Sequence, residues 1–254
     1  MAETVLVDRP AERVARVTLN RPERRNALDG ETRTRFVEAA AAALADEAVR
    51  CLIITGAGGH FCAGGDLTTM PTRPSEMRAR LKDGHRGVRL LLQSEKPVVA
   101  ALEGHAAGAG ASIALLADTI VMGRSAQITI PFLKVGLIPD WGMIHTLPRR
   151  IGAARARQAI LSGRGYGSEE ALAIGLADRV VDDEEVQAAA LDHAHTLAAL
   201  PPEAFALLKQ ALAAMPASLD TALELEALAQ SLAAAGEEFA EGAAAFKAKR
   251  KPVF

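Results

Sequence analysis

Phe61-Cys62-Ala63-Gly64-Gly65-Asp66-Leu67, read together with Gly104-His105-Ala106-Ala107-Gly108-Ala109-Gly110, is the pair of stretches that decides the architecture. Each is a loop of small residues behind a short apolar run: Cys51-Leu52-Ile53-Ile54-Thr55 before the first, Val98-Val99-Ala100-Ala101-Leu102 before the second. Apolar runs of that length bounded by glycine read as buried strands. Two such loops leaving neighbouring strands can aim backbone N–H groups at one shared point. That is how a site is built for a carbonyl oxygen that gains negative charge during a reaction. No side chain is needed for the role, so small residues leave the backbone open to approach.

The flanking sequence repeats the same order. Val5 to Val7 and Val14 to Leu19 read as strands with Arg9-Pro10 as the turn between them. Asp29 is placed to cap a helix carrying Phe36, Ala40, Ala43 and Leu44 on one side, and Ser75 to cap a second with Met77, Leu81, Val88, Leu91 and Leu92. His85 falls on that second stripe in this reading. A helix is expected over Ala109 to Leu116, then strands at Thr119 to Met122 and Gln127 to Ile130. Strand, loop and helix alternate, which implies an α/β fold. After Asp182-Asp183-Glu184-Glu185, acidic residues suited to a helix start, the Pro201-Pro202 break divides the chain. Residues 1–198 read as α/β and residues 199–254 as all-helical, with alanine-rich faces fit for subunit packing.

Composition excludes several classes. The 254 residues carry 29 basic and 31 acidic side chains, a balance that offers nucleic acid or an anionic membrane no attractive field. Two cysteines, Cys51 and Cys62, fit a reducing compartment, and the histidines lack metal-ligand spacing, so neither a disulfide framework nor a metal is expected. The N-terminus shows no secretory signal, and the uncharged stretch from Gly104 to Ala117 is too short and too glycine-rich to span a bilayer. The reading is a cytoplasmic protein.

These motifs resemble the crotonase, or enoyl-CoA hydratase/isomerase, superfamily. The resemblance runs from Val5 to Phe254 and rests on Asn20-Arg21-Pro22 through Asn26-Ala27-Leu28, the Phe61-to-Leu67 loop, and Lys96-Pro97 with the Gly104-to-Asp118 segment. Val135-Gly136-Leu137-Ile138-Pro139-Asp140, the Gly163-to-Val181 run and Phe246-Lys247-Ala248-Lys249-Arg250 extend it. It implies a spiral of ββα units for residues 1–198 and a trimerisation segment for 199–254, in a homotrimer or dimer of trimers that takes an acyl-CoA thioester with no cofactor. By motif position, the N–H groups of Gly65 and Ala109 would be the oxyanion donors. Arg24, Asn26, Ala27, Ala63, Asp66 and Leu67 would line the CoA path, and Lys249 would reach the CoA of a neighbouring subunit.

The departures bear on the reaction. Hydratases of the family place one glutamate early in the helix after the second loop and another just past the Pro131 position; here Ser112 and Phe132 stand there. Water addition needs a base for water and an acid for carbon, and these two residues cannot share that work. Asp140 remains, at the position of the acid/base residue of several isomerases, and Phe132 with Lys134 to Asp140 is similar to the ring-1,2-epoxyphenylacetyl-CoA isomerase branch. A double-bond isomerase is therefore expected. Two readings of Asp140 stay open at this stage, an acid/base and an N-cap for a helix starting near Gly142. Hydratase-like chemistry, thioester hydrolysis or dehalogenation with Asp140 as nucleophile, and a non-catalytic acyl-CoA binder are the rivals.

Overall fold

The computed structural model describes residues 3–215 and 218–254. Its frame is a six-stranded sheet in the order β1-β2-β3-β4-β6-β9, formed by β1 (Val5–Ala11), β2 (Val14–Leu19), β3 (Cys51–Gly56), β4 (Val98–Leu102), β6 (Thr119–Gly123) and β9 (Arg179–Val181). Only the β1–β2 pair is antiparallel; the other neighbours run parallel. A smaller sheet joins β5 (His105–Ala107), β7 (Gln127–Thr129) and β8 (Gly165–Gly167). Mixed sheets with helices between successive parallel strands are what the alternating sequence requires.

Strands β3 and β4 are buried throughout, as continuous apolar runs in a parallel sheet must be. Their residues still divide by parity. Cys51, Ile53, Val99 and Ala101 pack on one face under Val186, Ala189, Ala190 and Ala194 of α7 (Val186–Ala198). Leu52, Ile54, Val98, Ala100 and Leu102 face the larger core with Phe36, Ala40 and Ala43 of α1 (Gly30–Ala45). The Asp29 cap is present, its carboxylate accepting from Thr32 N–H at 2.8 Å.

Several local expectations are corrected. The first turn is at Glu12-Arg13, not Arg9-Pro10: Pro10 lies inside β1 on the sheet edge, where its missing N–H costs no ladder bond, and Arg13 takes a φ of 62°. Helix α2 (Pro74–Leu92) is capped by Arg73 with proline at its first position, not by Ser75. Its buried residues are Gly84, Gly87 and Leu91, so the inward face is rotated away from His85, which is exposed. The face turns because the indole of Trp141 occupies it, with ring atoms 3.3 Å from where a Cβ on Gly84 would stand and 3.0 Å from one on Gly87. Helix α3 (Ala109–Ala114) ends two residues short of Leu116. The Asp183–Glu185 acids form a 3-10 turn ahead of α7 rather than its first turn.

Helices α4 (Met143–Ile151), α5 (Ala153–Ser162) and α6 (Ser168–Ile174) continue the body, and α8 (Pro202–Ala213), α9 (Leu219–Ala235) and α10 (Glu237–Ala248) end the chain. Lys209 of α8 is buried and pairs with Asp118 at 2.7 Å, which ties the last helices to the sheet. Leu219, Leu223, Leu228, Leu232, Phe239 and Phe246 on α9 and α10 stay exposed.

The glycine loops interlock through the bridge Cys62–Ala106, and the bridge Leu28–Gly65 ties the first loop to the segment before α1. A Cβ on Gly110 would lie 2.2 Å from the Cys62 carbonyl oxygen, a position no side chain can occupy. Gly110→Ala therefore forces the loops apart and is expected to destabilise the fold by about 1–3 kcal/mol, as overpacking does; thermal unfolding of the variant checks this.

Candidate active site

The first loop is fixed from below. Asn26 is fully buried; its side-chain oxygen accepts from Arg21 N–H at 2.9 Å, and its amide donates to Ala57 O at 2.9 Å and His60 O at 2.6 Å. The Asn26 backbone is also spent, N–H to Arg21 O and C=O under the Cys62 thiol at 3.1 Å. Expected as a CoA-path residue, Asn26 is instead a strut that holds the loop, since none of its polar atoms is left for a ligand. Burial pushes the Cys62 thiol up to about 12, so it stays protonated and donates to Asn26 O while accepting from Gly64 N–H at 3.4 Å.

Gly64, at φ 97°, lets the two loops close: a Cβ there would lie 2.7 Å from Ala107 O and 3.4 Å from Ala109 N. The neighbouring Gly65 N–H and the Ala109 N–H have no hydrogen-bond acceptor among the described residues. The bonds around them belong to other groups: Leu28 N–H donates to Gly64 O, Asp66 N–H to Leu28 O and Gly108 N–H to Thr129 O. Ser112 Oγ is buried and donates to Gly108 O at 3.2 Å, closed off inside α3. Phe132 is buried in the turn Phe132–Val135, its ring tip 3.9 Å from a Cβ position on Gly108. Beside the loops, the wall at the hydratase glutamate positions is thus a buried hydroxyl and a phenyl ring.

Asp140 is not the helix cap. Helix α4 starts after Gly142, which makes no side-chain capping bond, and only the backbone C=O of Asp140 accepts, from Met143 N–H at 3.0 Å. Its Oδ1 is buried with no partner among the described residues. Burial raises the carboxyl to about 6, against the opposing pull of the Arg80 guanidinium. Trp141 holds the segment in place: it is buried at a φ of 48°, edge-on to Phe36 with ring centroids 6.2 Å apart. A non-glycine residue in that region of φ is sustained by the burial of its side chain. Sequence reasoning missed Trp141 and Arg80; the signal that could have found both is the spacing Arg80, Gly84, Gly87, Leu91, one face of a helix with small residues at its centre.

At the rim, Arg21 pins the first loop to α1. Its guanidinium donates to Ala27 O at 2.6 Å and pairs with Asp29 at 3.2 Å and Asp66 at 3.5 Å. The Asp66 carboxylate also accepts from Thr68 Oγ1 and N–H, contacts that lower its pKa. Ala63, Arg24 and Leu67 are exposed at the same rim, while Lys249 is exposed at the end of α10 with a φ of 53°.

The geometry defines a class: an α/β protein with interlocked glycine loops that leave two amides unbonded, and a carboxyl of raised pKa whose Oδ1 is buried without a partner among the described residues. The sequence profile of the enoyl-CoA hydratase/isomerase family matches residues 9–254. The chain is 41% identical over 247 residues to the 1,2-epoxyphenylacetyl-CoA isomerase of Escherichia coli K12, covering 95% of this chain and 94% of that one. It is 35% identical to the 2,3-dehydroadipyl-CoA hydratase of the same organism, over 96% and 95% of the two chains. The crystal structure of an enoyl-CoA hydratase from Bacillus anthracis superposes with a TM-score of 0.94 at 29% identity, covering 99% of each chain. This protein belongs to the enoyl-CoA hydratase/isomerase family and has the crotonase fold.

The raised carboxyl has a consequence for stability. A folded-state pKa near 6, against about 3.9 in the unfolded chain, means the native state binds the extra proton between those values. Its stabilisation is complete below pH 4 and is lost as pH rises through 6, by about 3 kcal/mol in the limit. Asp140→Asn is expected to raise the unfolding temperature at pH 8 and leave it unchanged at pH 4; calorimetry at the two pH values checks the sign.

Proposed function

We propose that this enzyme is an acyl-CoA double-bond isomerase with Asp140 as its acid/base. A carboxyl near pKa 6 with one oxygen buried and without a partner among the described residues carries the reading, because a group poised there can both take and return a proton near neutrality. Asp140 takes a proton from C2 of a 3-enoyl thioester and gives it to C4. The C=C bond moves to C2–C3, and nothing else is consumed. The thioester oxygen, an enolate between the two transfers, sits at the Gly65 and Ala109 N–H groups. Each such donor is worth about 10²–10³ in rate. Ala109 adds the dipole of the helix it opens.

What favours isomerisation over hydration is the wall beside the loops. The Ser112 hydroxyl is committed to Gly108 O and Phe132 is apolar, so no second carboxyl stands at either position to activate water. The CoA moiety runs past Arg24, Ala27, Ala63, Asp66 and Leu67, with Asp66 shaping the path while Arg21 and Thr68 hold its carboxylate. The exposed leucines and phenylalanines of α9 and α10 pack against sister subunits in a homotrimer or dimer of trimers, where Lys249 reaches a neighbour's CoA. The enzyme works in the cytoplasm without a cofactor.

Incubation with 3-hexenoyl-CoA in deuterated water is expected to yield 2-hexenoyl-CoA carrying deuterium, with kcat/KM rising through a limb near pH 6. Asp140→Asn is expected to abolish the shift while leaving binding of the thioester nearly unchanged. Formation of 3-hydroxyhexanoyl-CoA, or release of free acid, overturns the proposal in favour of hydration or hydrolysis; inert binding leaves only a carrier.

A further inference from the structure

Arg80 lies on the inward face of α2, four, seven and eleven residues before Gly84, Gly87 and Leu91. The contact of those glycines with Trp141 therefore also turns Arg80 toward the site. Its Nη2 donates to Leu28 O at 3.2 Å and stands 3.3 Å from where a Cβ on Gly65 would be, which sets the guanidinium beside the residue that carries one of the two amides assigned above. That single backbone bond is its only hydrogen bond among the described residues, although the group carries five donors.

The charges that face it come from every neighbouring element. Asp29 at the start of α1, Asp66 of the first loop and Asp140 attract it, while Arg33 of α1 opposes it. Asp29 and Asp66 are already held by Arg21 at 3.2 and 3.5 Å. Arg33 is itself buried, with Nε and Nη1 unpartnered. The half-buried Arg80 thus sits desolvated and incompletely neutralised beside Gly65 and within the electrostatic reach of Asp140. A cation kept in that state is a cost to the free protein that new negative charge arising beside it offsets.

We propose that Arg80 is a catalytic residue of this site, whose guanidinium stabilises the enolate formed when Asp140 removes the C2 proton. This rests on the isomerase reading. The C2–H bond breaks, its proton goes to the Asp140 carboxylate, and the electron pair spreads onto the thioester oxygen held by Gly65 and Ala109. When the C3=C4 pair takes the proton from Asp140 to form the C4–H bond, the enolate pair moves in to form C2=C3, the carbonyl is restored and the oxygen loses its charge. Arg80 binds the middle state more strongly than either end state, the condition for accelerating the reaction. A half-buried positive charge acts more strongly than one in water.

The test compares Arg80→Gln and Arg80→Lys with the parent enzyme in three assays: 3-hexenoyl-CoA isomerisation from pH 5 to 9, exchange of the C2 protons of hexanoyl-CoA in deuterated water, and hexanoyl-CoA binding. Arg80→Gln is expected to lower kcat and the exchange rate about 10²-fold, the scale of one oxyanion donor, with hexanoyl-CoA binding hardly moved. The acidic limb of kcat/KM shifts to higher pH, since Asp140 loses the cation that opposes its burial. Arg80→Lys restores a large part of both rates and the position of the limb.

Parent-like kcat and an unmoved limb in Arg80→Gln overturn the assignment. So do equal losses in both variants with a lowered unfolding temperature, the mark of a tie to Leu28 and nothing more. If the parent exchanges C2 protons in an Arg80-dependent way without moving the double bond, the isomerase reading fails and the Arg80 assignment stands. If the parent does neither, both fail.

Discussion

Two backbone amides from different strands can point at one oxygen only if the loops that carry them touch without side chains between them. Here that contact is made where the Cys62 carbonyl meets Gly110 and the Ala107 carbonyl meets Gly64, at separations that leave no room for a Cβ. The parallel pairing of β3 with β4 sets the loops side by side, and the Cys62–Ala106 bridge continues that pairing past the strand ends. Asn26 then braces the first loop from beneath, its side chain bonded to Arg21, Ala57 and His60 and its C=O accepting from the Cys62 thiol. The site is therefore built into the main chain of the sheet rather than added to its surface.

The carboxyl is positioned by a separate device. Asp140 follows Pro139 and precedes Trp141, whose buried ring fills the notch offered by Gly84 and Gly87 of α2. One aromatic anchor thus fixes the Asp140 backbone and the rotation of α2 together. The same packing brings Arg80 to Gly65 of the first loop. Burial raises the Asp140 pKa, and the Arg80 cation and the residue's own backbone N–H limit that rise. Acidity at this position is a property of packing, at some expense in stability at neutral pH.

Much of this was legible in the sequence and some was not, for physical reasons. The glycine loops, the α1 cap at Asp29 and the alternation of strand and helix are local signals, carried by backbone freedom, one hydrogen bond and hydrophobic period. The rotation of α2 was not local. Its leucines and valines suggested one stripe, but Trp141, more than fifty residues away, selects the glycine face instead, which hides His85's exposure and Arg80's inward position from a reading of that helix alone. Asp140 was found as a residue, yet whether it caps α4 depends on Gly142 adopting a left-handed φ of 78°, which Pro-Asp by itself does not specify. Asn26 was read from its motif as a ligand contact; its burial beneath the loops is a tertiary fact. The C-terminal helices were legible in pattern because their apolar residues face outward.

Isomerisation by this site requires that the Asp140 carboxylate and the two loop amides converge on the same thioester. A crystal structure with a non-hydrolysable 3-enoyl-CoA analogue measures that convergence directly. The carbonyl oxygen is expected about 3 Å from both Gly65 N and Ala109 N, with an Asp140 carboxylate oxygen in contact with C2. A carbonyl oxygen bound away from the amides, or an acyl chain whose C2 and C4 lie out of reach of Asp140, would contradict it.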